Sequence, residues 1–225
     1  MVFEQLHVSR DEAVIDVGCG SGASVVTLSK YAKEVVGIDI SGPVVEYLQA
    51  RPKPDNVKFY AVDVTKDPPR EFLDKFDKCL CVDVLEHVEN PVKAVEFCQN
   101  VLKSQGLLVM TFPINNVRHG TNYFTKETVD DLLKKTDLKA DLRLLKLKGF
   151  GALVDRLYDY VQRVLAPPRE GDRFEDYTCF QMLRKPRRIH FFYRLGISIL
   201  FGISRNSLYH QDKAGNRVLI IARKG

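Results

Sequence analysis

The sequence predicts an α/β fold built on a seven-stranded, mostly parallel sheet with helices on both faces, an antiparallel last strand and a helical insertion before it. Three observations carry that expectation. Short apolar runs alternate with helix-like segments through the first two thirds of the chain, the pattern of parallel strands joined by covering helices. The first apolar run ends in a glycine-rich turn, "VIDVGCGSG" (14–22), and the last one, "NRVLIIARKG", follows the turn signal "KAGN". The 225 residues suit one such domain with an elaboration and suffice to bury a full core.

Taken in order, "AVIDVG" (13–18) reads as strand one and a helix should follow over residues 23–32. "EVVGIDI" (34–40) is strand two, with Ser41 the expected N-cap of a helix over "GPVVEYLQA". "VKFYAVDV" (57–64) is strand three and "DKCLCVDV" (77–84) strand four. A helix is expected from Pro91 to Ser104, with Val92, Val95, Val101 and Leu102 near one face and Gly106 at its end. "LLVMTFP" (107–113) is strand five, "TKETVDDLLKKT" (125–136) a helix, "LRLLKLKGF" (142–150) strand six, and residues 216–225 strand seven. The chain is expected to be one domain: a ligand-binding core of about residues 10–150 plus 216–225, and a helical lid or insertion over about 151–215.

Composition excludes several classes. There is no low-complexity tract and no solenoid-period repeat. Five cysteines without a CxxC pair favour buried free thiols over a disulfide framework or a zinc site, hence a reducing, cytoplasmic setting. No segment has the apolar length of a signal peptide or a membrane span.

A glycine turn between a first strand and a first helix lets a ligand approach the backbone closely. Gly18, Gly20 and Ala23 fit the dinucleotide pattern, with Asp39 where a ribose-binding carboxylate would lie, so NAD stays open on those residues alone. Asp16 shifts the balance. A carboxylate beside the turn repels a pyrophosphate but attracts the ammonium and sulfonium of S-adenosyl-L-methionine (SAM).

The ordered motifs resemble those of the class I SAM-dependent methyltransferases, which have a Rossmann-like fold. The resemblance covers about residues 10–138 plus the terminal strand. It implies that the turn formed by Gly18, Cys19, Gly20 and Gly22 takes the methionine part of SAM, with Asp16 assisting at the ammonium. It implies further that Asp39 binds both ribose hydroxyls, that Asp63 lies by the adenine amino group, and that Val64 and Ile40 flank the ring. Backbone at Cys81 and Val82 would border the methionine part.

"CVDVLEHVENP" (81–91) is similar to the subgroup that contains the ubiquinone-biosynthetic O-methyltransferases. Asp83, Glu86 and His87 are spaced for one helical face. His87 is then a candidate general base, the three residues a candidate cation site, or Glu86 and His87 a pair that fixes the loop. No second ligand cluster supports the metal, and none is expected. After strand five, "FPINNVRHGTNYFT" would face an acceptor, with His119 and Tyr123 as candidate orienting groups or plain loop residues. "FPIN" is not the motif of amino-directed DNA methyltransferases, so nucleic acid is disfavoured as substrate.

The excursion "GALVDRLYDYVQRVLAPP" (151–168) has an apolar stripe at helical spacing. Residues 184–205 are basic and apolar without an acidic residue, which suits a buried helix with a basic flank, a lid, or peripheral contact with anionic membrane. The expected function is methyl transfer from SAM to a small acceptor, hydrophobic or lipid-like, with O-methylation the first reading and N- or C-methylation open. The alternatives are a non-catalytic SAM-binding sensor or partner subunit, an RNA methyltransferase, and an NAD-dependent oxidoreductase.

Overall fold

The computed structural model describes residues 2–114, 122–136, 138–147, 209–211 and 217–225. The chain divides into two compact units. The larger comprises Val2–Leu145 and Asp212–Gly225, and the smaller runs from Lys146 to Gln211 together with Met1. In the smaller unit the end of one strand and a three-residue strand, Tyr209–Gln211 (β7), are described. The insertion expected over 151–215, with its apolar stripe and basic stretch, lies otherwise outside the described residues, as does His119.

In the larger unit the strands are β1 (Ala13–Val17), β2 (Glu34–Asp39), β3 (Val57–Ala61), β4 (Phe76–Val82), β5 (Leu102–Pro113), β6 (Ala140–Leu147) and β8 (Arg217–Arg223). Their order across the sheet is β3-β2-β1-β4-β5-β8-β6. The first five pair in parallel, and β8 runs antiparallel between β5 and β6. Helices α1 (Ala23–Leu28), α2 (Gly42–Gln49), α3 (Pro91–Val101) and α4 (Lys126–Lys135) supply the cover. This is the predicted architecture. Because central strands are covered on both sides, they read as continuous apolar runs rather than alternating ones: Val14, Ile15, Val17, Val35, Val36 and Ile38 are all fully buried.

Local chemistry sets the element ends. Asn90 caps α3 by accepting the Lys93 N–H at 3.2 Å, and Pro91 takes the first helical position, where no amide hydrogen is needed. Thr125 and Thr128 form a reciprocal capping box at the start of α4. Ser41 stands at the N-cap of α2, but its hydroxyl makes no cap bond. Its N–H donates instead to Asp39 Oδ1 at 3.0 Å, which draws the residue toward the end of β2.

Two expected boundaries are corrected. α3 does not run to Ser104 with Gly106 as its stop. Leu102 turns extended (ψ 142°) and pairs with Phe76, so strand pairing ends the helix at Val101 and Gly106 falls inside β5. α1 ends at Leu28 rather than Ala32, and residues 29–31 continue as turns.

The topology also places the ligand edge. From β1 the chain builds outward through β2 and β3, then crosses to the other side of β1 as β4. The reversal opens a crevice beyond the carboxyl ends of β1 and β4, where ligands bind in open sheets of this kind. Among the described residues no helix is long and apolar enough to cross a membrane.

Gly37, mid-β2, shows how tightly the layers pack. A Cβ there would come within 2.8 Å of both Phe59 Cδ1 and Val25 Cγ2. Gly37→Ala should therefore lower the unfolding free energy by about 1–3 kcal/mol in urea titration. A variant as stable as the parent would show that the layer can yield.

Candidate functional site

Three glycines shape the turn after β1. Gly18, Gly20 and Gly22 have φ of 70°, 49° and 73°, a left-handed region that side chains rarely adopt. The turn is pinned by Cys19 N–H to Ile38 O and Gly22 N–H to Cys19 O, both 2.9 Å. The glycines differ in what surrounds them. A Cβ on Gly18 would lie 2.3 Å from Val84 Cγ2, so the turn presses directly on the chain leaving β4. A Cβ on Gly20 would meet nothing within 4 Å. The middle of the loop thus faces open space, with room for a ligand to approach the backbone.

Carboxylates stand at the carboxyl ends of the neighbouring strands. Asp39, at the end of β2, accepts the Gly20 N–H on Oδ2 and the Ser41 N–H on Oδ1, each at 3.0 Å. A carboxylate has about four acceptor positions, so both oxygens retain capacity for a ligand's hydroxyls. Ile40 beside it is 64% exposed, an apolar side chain bare at the ligand edge. Asp63, just past β3, accepts the Thr65 N–H (2.9 Å) and hydroxyl (2.7 Å) on Oδ1. Those bonds hold its carboxyl below the usual range, and the other oxygen takes no hydrogen bond from the described residues. Val64 next to it is buried.

Asp16 differs from both. It is 3% exposed and accepts the Ser24 hydroxyl. Burial raises its pKa to about 7, the Ser24 bond opposes the rise, and the neighbouring Asp39 charge adds to it. A carboxyl in that position is poised to ionise beside a ligand's cation. Cys19 is buried, and its thiol is pushed far above the ordinary range.

The opposite wall is the chain after β4. Cys81 is buried and pairs with Val17 of β1, while Val82 pairs with Thr111 of β5. The helical face expected for Asp83, Glu86 and His87 does not form. Asp83 is left-handed (φ 55°), which breaks any helix there, and its carboxylate pairs with Arg217 at the start of β8. Residues 85–87 make a turn. Glu86 is 3% exposed, and burial together with the Asp83 charge raises its pKa to about 8, with Arg217 opposing. His87 Nε2 lies 4.0 Å from Glu86 Oε1. Tyr123 is half-exposed.

Three residues that hold the site gave no motif in the sequence. Asn122 donates its N–H to Glu86 O (3.0 Å) and its side-chain amide to Leu85 O (3.0 Å) and Val88 O (2.5 Å), lashing the turn after β4 to the segment before α4. Arg217 reaches across 134 positions to Asp83. Ser24 was the most accessible of the three, being a hydroxyl two residues past the glycine turn.

Residues 15–110 match a family model described as a methyltransferase domain. That match covers the glycine turn, all three carboxylates and the His87 turn, in the order the geometry uses them. This part of the chain is therefore similar to methyltransferase domains. Over 115 residues the chain is 29% identical to the ubiquinone biosynthesis O-methyltransferase of Histophilus somni (strain 2336), an alignment spanning 48% of this chain and 47% of that protein. The chain thus spans about half the length of this curated relative. Two solved structures share the fold. One is Haemonchus contortus phosphoethanolamine N-methyltransferase 2 in complex with SAM, with a TM-score of 0.60, 14% identity, and 99% of this chain and 51% of that chain covered. The other is a SAM-dependent methyltransferase from Aquifex aeolicus, with a TM-score of 0.52, 19% identity, and 64% and 81% covered.

The protonation of Asp16 has a measurable sign. Its carboxyl is raised from 3.8 in the unfolded chain to about 7 when folded, so the folded protein keeps a proton that the unfolded chain has released. The stabilisation is complete below the unfolded value and is lost as pH rises through about 7. Urea unfolding of the ligand-free protein at pH 5 to 8 should show stability falling with pH, and Asp16→Asn should make that fall shallower, leaving the share due to Glu86, raised from 4.5 to about 8. An unchanged slope in the variant would contradict the assignment.

Proposed function

We propose that the chain is an enzyme that transfers the methyl group of SAM to an oxygen of a small, apolar acceptor. The observation that carries the reading is the Asp39–Gly20 pairing. A carboxylate at the end of β2 is oriented by the backbone of a glycine turn whose centre is open. The arrangement suits a ligand that offers a pair of hydroxyls beside a cation. It suits a pyrophosphate poorly, because Asp16 stands beside the turn.

In this reading Asp39 holds the ribose hydroxyls, Asp63 accepts from the adenine amino group with its second oxygen, and Ile40 and Val64 flank the ring. The glycine turn and the backbone of Cys81 and Val82 take the methionine part, with Asp16 ionised against its ammonium. Bound SAM supplies an electrophilic methyl group. The chain's task is then to hold the acceptor in line, exclude water and remove one proton. His87 is the group for that proton. Glu86, with its pKa near 8, keeps its own proton at neutral pH and so leaves the base role to the imidazole. Oxygen is favoured as the methylated atom because the relative from Histophilus somni is named as an O-methyltransferase.

Calorimetric titration with SAM, S-adenosylhomocysteine and NAD tests the cofactor. The first two should bind, and Asp39→Ala should weaken both by about tenfold or more, the loss of two charge-assisted hydrogen bonds. Binding of NAD alone would overturn the reading. Transfer of labelled methyl groups to a panel of small phenols and alcohols tests the reaction. His87→Ala should slow transfer by about 10²-fold or more while leaving SAM affinity intact, and full turnover by that variant would remove His87 from the mechanism.

A further inference from the structure

The turn after β4 depends on a side chain from the last strand. Asp83 sits at φ 55°, where any side chain costs free energy that glycine does not. Two interactions hold it there. Its N–H donates to Thr111 O at 2.8 Å, and its carboxylate pairs with the guanidinium of Arg217. Arg217 is opposite Pro113 in the antiparallel ladder, so β8 delivers a cation to the carboxyl edge of the parallel strands. The residue after Asp83, Val84, packs its Cγ2 where a Cβ of Gly18 would be. Gly18 lies two positions before Gly20, whose N–H fixes Asp39.

We propose that Arg217 is a positioning residue for the cofactor loop: it holds Asp83 in its left-handed turn, which seats Val84 against Gly18 and so sets the glycine loop that takes SAM. The inference rests on the SAM reading above. It assigns to a residue some 200 positions downstream of the loop a part in cofactor affinity without contact with the cofactor. A pair that only fastened β8 would alter melting temperature and leave that affinity untouched.

The test is calorimetric titration of the full chain with S-adenosylhomocysteine. Arg217→Met and Arg217→Gln should each weaken binding about tenfold. Adding Asp83→Gly to either should return affinity to within about threefold of the parent, because glycine takes φ 55° without help and removes the carboxylate that faces Glu86. Circular dichroism identifies the folded variants, and Arg217→Gln carries the test where Arg217→Met does not fold. Parental affinity in a folded Arg217 variant overturns the inference, and so does a loss that Asp83→Gly does not repair. A parent protein that binds neither SAM nor S-adenosylhomocysteine overturns the cofactor reading itself, and the inference with it.

Discussion

The contact between Gly18 and Val84 is the constraint on which the site depends. It joins the chain leaving β1 to the chain leaving β4, the two strands between which the sheet reverses direction, and it leaves no room for even one methyl group. Because the glycine is left-handed as well as crowded, both its backbone and its missing side chain are required. On one side of that contact stands Gly20 with Asp39 behind, and on the other the turn that carries Glu86 and His87.

Around the contact, charge is managed by burial as much as by pairing. Asp16 and Glu86 are both almost wholly removed from water, and both are pushed toward neutrality chiefly by that removal. Asp39 and Asp63, nearer the surface, are instead held by backbone and hydroxyl donors. The edge therefore offers two kinds of carboxyl: two fixed acceptors for hydroxyl or amino groups, and two that can gain or lose a proton near neutral pH. A uniformly ionised ring would have repelled itself. The division lets acidic residues crowd one crevice.

Much of this could be read from the chain before any coordinates. "DVGCGSG", "GIDIS" and "AVDV" each end a strand, and each ends where the sheet puts it on the ligand edge, because parallel strands with short following turns align their carboxyl ends. The four described cysteines are buried and free, as an odd count without CxxC suggested. Misreadings arose where pairing overrode local preference. Leu102 looked helical by spacing, yet its place beside Phe76 makes it strand. Asp83, Glu86 and His87 looked like one helical face, yet an ion pair from β8 and a left-handed backbone make a turn. Asn122 and Arg217 were invisible for a related reason: each acts on carbonyls or a carboxylate distant in sequence, and no periodicity announces such partners.

The placement of β8 between β5 and β6 has a consequence for how the protein is made. While the chain is being translated, β5 is complete roughly 100 residues before its neighbour emerges, an interval of about 5–20 s at ordinary synthesis rates. During that time the nascent sheet shows an open, apolar edge of the kind that recruits stray strands. β6 leaves the ribosome with its place in the sheet still unfilled beside it. Newly made chains should therefore be most exposed to misassembly, and most dependent on chaperones, in the window before residues 217–223 arrive.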